Sequence, residues 1–127
     1  MALGISTACL YPMAMEDSLQ TLIDSGFREF EIFINTYSEM EPEFLTMLEE
    51  KLKPQGCRVK SLHPFTSGFE SYLLFSNYER RFQDGASFYR RYFEMARRLG
   101  AEILVIHGDR SFEKSGLNDR EYYDRFG

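Results

Sequence analysis

The sequence lacks the short motifs that announce several large enzyme classes. It has no phosphate-binding loop, no Gly-x-Gly-x-x-Gly run, no Cys-x-x-Cys pair and no Gly-x-Ser-x-Gly elbow. P-loop and dinucleotide-fold chemistry, thiol exchange and α/β-hydrolase chemistry therefore have no footing. Ser, His and Asp occur, but at no spacing that argues for a nucleophilic triad. Cysteine is scarce: Cys9 and Cys57 stand alone, and two thiols in apolar, strand-like contexts suit a reducing cytoplasm, where both are expected as buried free thiols. The first eleven residues carry no Lys or Arg, which speaks against a secretory signal, and no apolar run reaches membrane-spanning length. Cations are outnumbered, 15 against 20 acidic residues, giving a net charge of −5. A field of that sign repels polyanions, so nucleic acid and anionic membrane are disfavoured partners.

What is present is an alternation. With 127 residues and 43% hydrophobic composition, the chain can form one core. No linker, repeat or low-complexity tract divides it. Four times an apolar, strand-like run is followed by a helical pattern and a turn residue, the order of a parallel α/β fold. The first strand is expected over residues 4–11, and its helix carries Leu19, Leu22 and Ile23, with Asp17 or Ser18 as cap and Gly26 as stop. The second strand covers 29–35, and its helix starts near Pro42 with Phe44, Leu48 and Leu52 as the buried stripe. The third strand is 58–63. A long aromatic connection from Pro64 to about Asn77 follows, readable as a substrate lid or as rim packing. Its helix turns Phe88, Tyr92, Met95, Ala96 and Leu99 inward, leaves Arg90, Arg91, Arg97 and Arg98 to solvent, and stops at Gly100. The fourth strand is 103–108, followed by a polar loop through Asn118 and a helix from about Asp119 with Tyr122, Tyr123 and Phe126 as its apolar positions. A (β/α)₈ barrel takes roughly 250 residues, so, read as a TIM barrel, the four units of residues 1–127 are its amino-terminal half, with a piece missing or an unusual closure. A flavodoxin-like doubly wound sheet is the structural alternative.

Ligands in parallel α/β folds gather at the carboxyl ends of the strands. The only two histidines, His63 and His107, stand at the ends of the third and fourth strands. Alternation groups Val59, Ser61 and His63 on one face and Ile103, Val105 and His107 on the corresponding face of the next strand. Leu62, Leu104 and Ile106 fall to the helix side. On the second strand, Phe30, Ile32 and Ile34 face helices and Glu31, Phe33 and Asn35 face the interior. One histidine at a strand end is commonly a hydrogen-bonded boundary residue, but two in matching positions point to a site. Glu31 joins them because an interior carboxylate needs a partner, although a strand-edge ion pair also explains it. Asp109 is a weaker addition, since an exposed loop aspartate is common.

The runs Gly4-Ile5-Ser6-Thr7, Glu29-Phe30-Glu31-Ile32-Phe33, Ser61-Leu62-His63-Pro64 and Val105-Ile106-His107-Gly108 follow one another as in xylose-isomerase-like barrels. Over essentially its whole length the chain resembles the sugar phosphate isomerase/epimerase branch of that superfamily. The resemblance implies a divalent metal (Mn, Mg or Zn), a sugar or sugar phosphate substrate, and proton transfer at a carbon next to a carbonyl. In the related endonuclease IV-like branch, the equivalents of His63 and His107 are metal ligands; in the epimerases they more often line the substrate pocket. Glu31 would contact a substrate hydroxyl. The acid/base glutamates of the epimerases lie in the second half of the barrel, so the catalytic residues are unknown here and this half alone is expected to be inactive. Two alternatives remain: a metal-dependent phosphodiesterase, against which the acidic balance counts, and a non-catalytic polyol-binding barrel. A half barrel exposes strand edges, so self-association or a homo-oligomer is expected.

Overall fold

Strands that run parallel need a crossover of a dozen or more residues between them, and the chain supplies a helix at each opportunity. The computed structural model describes residues 3–109 and 119–127. Gly4–Ser6 (β1), Glu29–Phe33 (β2), Arg58–His63 (β3) and Ile103–Leu104 (β4) form one parallel sheet in the order β1-β2-β3-β4. Met15–Asp24 (α1), Pro42–Leu52 (α2), Glu79–Leu99 (α3) and Asp119–Phe126 (α4) are the helices. The described chain divides into two compact units: 3–65 with 91–105, and 66–90 with 106–109 and 119–127. The long α3 contributes its second half to the first unit and its first half to the second.

The first unit holds the whole sheet. Phe30, Ile32 and Ile34 are completely buried, as the alternation of β2 requires for a helix-covered face. Their cover is apolar and periodic: Met15, Leu19, Leu22 and Ile23 on α1, Leu45, Leu48 and Leu52 on α2, and Tyr92, Met95 and Ala96 on α3 are all buried. Polar bonds between successive helices show that they stand side by side in chain order. Lys51 Nζ donates to Gln20 Oε1 (3.3 Å), and Arg98 Nη2 donates to Glu49 Oε2 (2.9 Å). Right-handed crossovers between strands in consecutive order put every helix on one face, and these bonds agree. A flavodoxin-like sheet would place β1 between β2 and β3; here β2 holds that position.

In the second unit, the aromatic connection is not extended chain. Residues 65–72 form 3₁₀ turns, and Leu74 and Phe75 are buried while Phe69, Tyr72 and Tyr78 are exposed. The Phe126 ring on α4 lies 4.6 Å from that of Phe75 and 6.3 Å from that of Phe82 on α3. The Arg125 guanidinium sits 4.2 Å from the centre of the Phe82 ring and donates to the Ser76 carbonyl (2.6 Å). At Gly85 α3 passes too close to Leu73 for a side chain, since a Cβ there would fall 2.9 Å from Leu73 Cβ.

Several expected details are corrected. β1 ends at Ser6 because the Ser6 hydroxyl accepts from the Ala8 amide and starts a 3₁₀ turn over Thr7–Leu10. β2 stops at Phe33: the Ile34 amide still donates to the His63 carbonyl (2.9 Å), but the Asn35 amide turns to the Glu39 carboxylate, and β4 is only two residues long. Neither Asp17 nor Ser18 caps α1. Ala14 occupies that place without a side-chain bond, and the Ser18 hydroxyl donates instead to the Thr7 carbonyl (2.7 Å). The buried stripe of α2 runs through Leu45 rather than Phe44, which is half-buried. On α3, Phe88 and Leu99 are half-buried and Tyr89 is buried in addition. Arg91 and Arg98 keep about a third of their side-chain surface accessible but are not free in solvent: Arg91 bonds Tyr37 and Glu41, and Arg98 bonds Glu49, Thr46 and the Pro42 carbonyl. Cys9 is exposed and Cys57 half-buried, so both thiols are free but neither is buried; partial burial pushes the Cys57 thiol up, with Arg28 opposing. The loop expected through Asn118 and the side chain of Tyr122 lie outside the described residues. No described helix is long and apolar enough to cross a membrane.

Candidate functional site

The faces of β3 are set by an irregularity that alternation cannot foresee. Phe30 is paired with Val59, but Glu31 is paired with Ser61, so Lys60 is an extra residue between two successive partners. A bulge of this kind advances one strand by a residue and reverses the parity on its two sides. Val59 therefore joins Phe30 and Leu62 among the buried residues of the helix side, and does not share a face with Ser61 and His63 as expected. Beyond the bulge the alternation resumes. Ser61 lies beside Glu31 and His63 beside Phe33.

That register brings two predicted residues together at the carboxyl end of the sheet. His63 Nδ1 lies 3.6 Å from Glu31 Oε1, and the Ser61 hydroxyl donates to Glu31 Oε2 (3.3 Å). The Phe33 and His63 rings are 4.6 Å apart between centres. The side chains of His63 and Glu31 keep 21% and 30% of their surface accessible, enough for a small polar ligand to reach them. The adjoining end of β2 is fixed from below. The Phe33 amide donates to the Thr7 hydroxyl (2.9 Å), and the Asn35 amide donates to Glu39 Oε2 (2.6 Å), with Asn35 Nδ2 donating to the same carboxylate. Glu39 is itself buried, so this bond to β2 is sheltered from water.

His107 belongs to the second unit, and two residues, Val105 and Ile106, separate it from the end of β4. Sequence reasoning missed its main partner. Glu70, in the 3₁₀ turns after β3, is completely buried. Its Oε2 accepts the amides of His107 (2.6 Å) and Gly108 (3.1 Å). Its Oε1 accepts the Tyr89 hydroxyl (3.0 Å) and faces His107 Nδ1 at 3.5 Å, while the Thr66 hydroxyl donates to Tyr89 (3.0 Å). One signal was available: Glu70 is the only Asp, Glu, Lys or Arg between Lys60 and Glu79, and a lone carboxylate in an aromatic stretch must find donors. Asp109, next in the chain, is exposed, as is Ile106, which was expected on the helix side.

Imidazole and carboxylate are suitable donors for zinc or manganese. Yet among the described residues no group of three or more His, Cys, Asp or Glu is arranged to hold a metal ion. The described residues therefore do not form a metal centre by themselves, and no chemical step is derived through one. What they offer is histidine rings paired with carboxylates, able to accept or donate hydrogen bonds and move a proton. Comparison with family models, with curated proteins and with solved structures finds no match to this chain.

Proposed function

We propose that the chain forms four βα units of a (β/α)₈ barrel that acts on a sugar or sugar phosphate as an isomerase or epimerase. The observation that carries this reading is the consecutive parallel order β1-β2-β3-β4 with a histidine–carboxylate pair at the carboxyl end of β2 and β3. Consecutive order is what closure into a barrel demands, and the carboxyl end is where barrels carry their chemistry. In this reading His63 in the first unit, and independently His107 in the second, is a candidate to contact a substrate oxygen or to contribute to a divalent metal (Mn, Mg or Zn), with other ligands from outside the described residues. Glu31 contacts a hydroxyl or holds His63. Proton transfer at the carbon next to a carbonyl is assigned to groups in the remainder of the barrel.

A second reading has a specific observation in its favour. Since no metal-holding group occurs among the described residues, the same face is also suited to binding a polyol without turning it over. Manganese separates the two. Under the isomerase reading, Mn²⁺ broadens the NMR ring signal of His63 at submillimolar concentration, and Glu31→Gln weakens the effect. Sugar or sugar phosphate binding with no response to Mn²⁺, Mg²⁺ or Zn²⁺ would favour the binding-only reading. No response to any of these ligands would sink both.

A further inference from the structure

Two arginines meet at the amino ends of the strands, at the opposite end of the sheet from His63 and Glu31. Arg28 precedes β2 and Arg58 opens β3, and the Arg28 carbonyl accepts the Arg58 amide (2.8 Å), which makes them neighbours. With Leu3, Gly26, Phe27 and Glu29 they line a cleft of about 460 Å³, inside the range of roughly 300–1,000 Å³ that small-molecule sites occupy. The cleft lies wholly within the first unit.

Its charges are unequally matched. Glu29, whose side chain is 13% accessible, pairs with the Arg58 guanidinium, which is 66% accessible. Arg28 has no carboxylate partner among the described residues. Its Nη1 donates to the carbonyls of Ile23 (2.9 Å) and Phe27 (2.7 Å). Two neutral acceptors hold the guanidinium in place without cancelling its charge, and a guanidinium keeps its proton at any ordinary pH. In a chain with 20 acidic residues against 15 cations, a fixed cation without a counter-ion, beside a second arginine, reverses the local sign. Guanidinium forks match the oxygens of carboxylates and phosphates, and the N–H groups of Arg28 other than those on Nη1 remain for them. Half-buried Phe27 and exposed Leu3 add an apolar wall. We propose that this cleft binds a small organic oxyanion, its charged group on Arg28 and Arg58 and its apolar stem against Phe27 and Leu3. Barrels carry their chemistry at the other end of the strands, so a ligand here is held rather than converted.

The test is a titration of the full chain with benzoate, phenyl phosphate and benzyl alcohol at constant ionic strength, followed by proton–nitrogen NMR. At least one of the two anions is expected to bind saturably in the millimolar range, moving the amides of Gly26 and Phe27 and the Nε–H signal of Arg28. The anion that binds distinguishes a carboxylate site from a phosphate site. Benzyl alcohol has the stem without the charge and is expected to bind at least about tenfold more weakly. Arg28→Gln is expected to lower anion affinity by about tenfold, as the loss of a charge-assisted hydrogen bond does. Arg97→Gln, which removes an exposed arginine of α3, should leave the affinity unchanged. No saturable response to either anion would overturn the proposal, as would equal affinity for the alcohol or an undiminished affinity in Arg28→Gln. If that variant does not fold, the map on the unmodified protein decides, and shifts centred away from the cleft count against the site. None of these outcomes depends on whether the chain binds sugar.

Discussion

Glu31 and Glu70 are both carboxylates beside a histidine, and their surroundings set very different energetic roles. Removing Glu70 leaves two amides and a hydroxyl without their acceptor in a site closed to water, and each orphaned buried donor costs about 1–3 kcal/mol. Glu70→Ala is expected to destabilise the protein by about 3 kcal/mol or more, read as a lowered urea midpoint. Glu31 keeps 30% of its side-chain surface accessible, so water replaces it, and Glu31→Ala is expected to cost about 1 kcal/mol or less. Equal losses would contradict the contrast in burial. The difference also explains what the sequence conveyed at this scale. The placement of His63 and Glu31 near the carboxyl ends of adjacent strands was legible because strand ends and alternation are local patterns, whereas His107 lies past the end of β4 and not at a strand end as expected. Glu70 was not, because its donors lie 19 and 37–38 residues away and only folding assembles them.

At the level of the elements, helix starts and stops at Pro42, Gly26 and Gly100 were legible, as were the bounds of β3, since each follows from the conformational limits of one or two residues. The bulge was not, because nothing in Arg-Val-Lys-Ser-Leu-His marks which residue is skipped. Lys60 is surplus to the pairing with β2 but serves β4: its carbonyl accepts the Glu102 amide (3.1 Å), and its Nζ pairs with the Glu102 carboxylate (2.7 Å). Deleting Lys60 turns β3 into a regular alternating strand against β2. Hydrogen exchange in that variant is expected to stay slow for β2 and to quicken at least tenfold at Glu102 and Val105; quickening throughout the sheet would show that the bulge supports the core as well. Between helices, the Arg98 guanidinium holds the Glu49 carboxyl below its ordinary value. A carboxyl lowered in the folded state adds stability that is complete above its unfolded value and is lost as pH falls through the folded one. Glu49→Gln should therefore be less stable than the parent near neutrality and converge with it as the pH drops below about 4.5. Urea midpoints across that range test this, and a constant gap would refute it.

For the whole molecule, the sheet ends in two edges, β1 and β4, and Ile103 on β4 is 58% exposed. An apolar residue on an unpaired edge invites another strand. Sedimentation is expected to show concentration-dependent association that Ile103→Lys reduces by about tenfold in affinity, on the order of the 1.4 kcal/mol that corresponds to that factor; an unchanged profile would locate the contact elsewhere. The consecutive strand order has a consequence for how the sheet arises. Among the described strands, β2, β3 and β4 each pair with the one translated just before, so within this sheet no strand after β1 waits for a later partner in order to join it. Pairing across these four strands is therefore compatible with the order of synthesis, each strand meeting an edge that already exists.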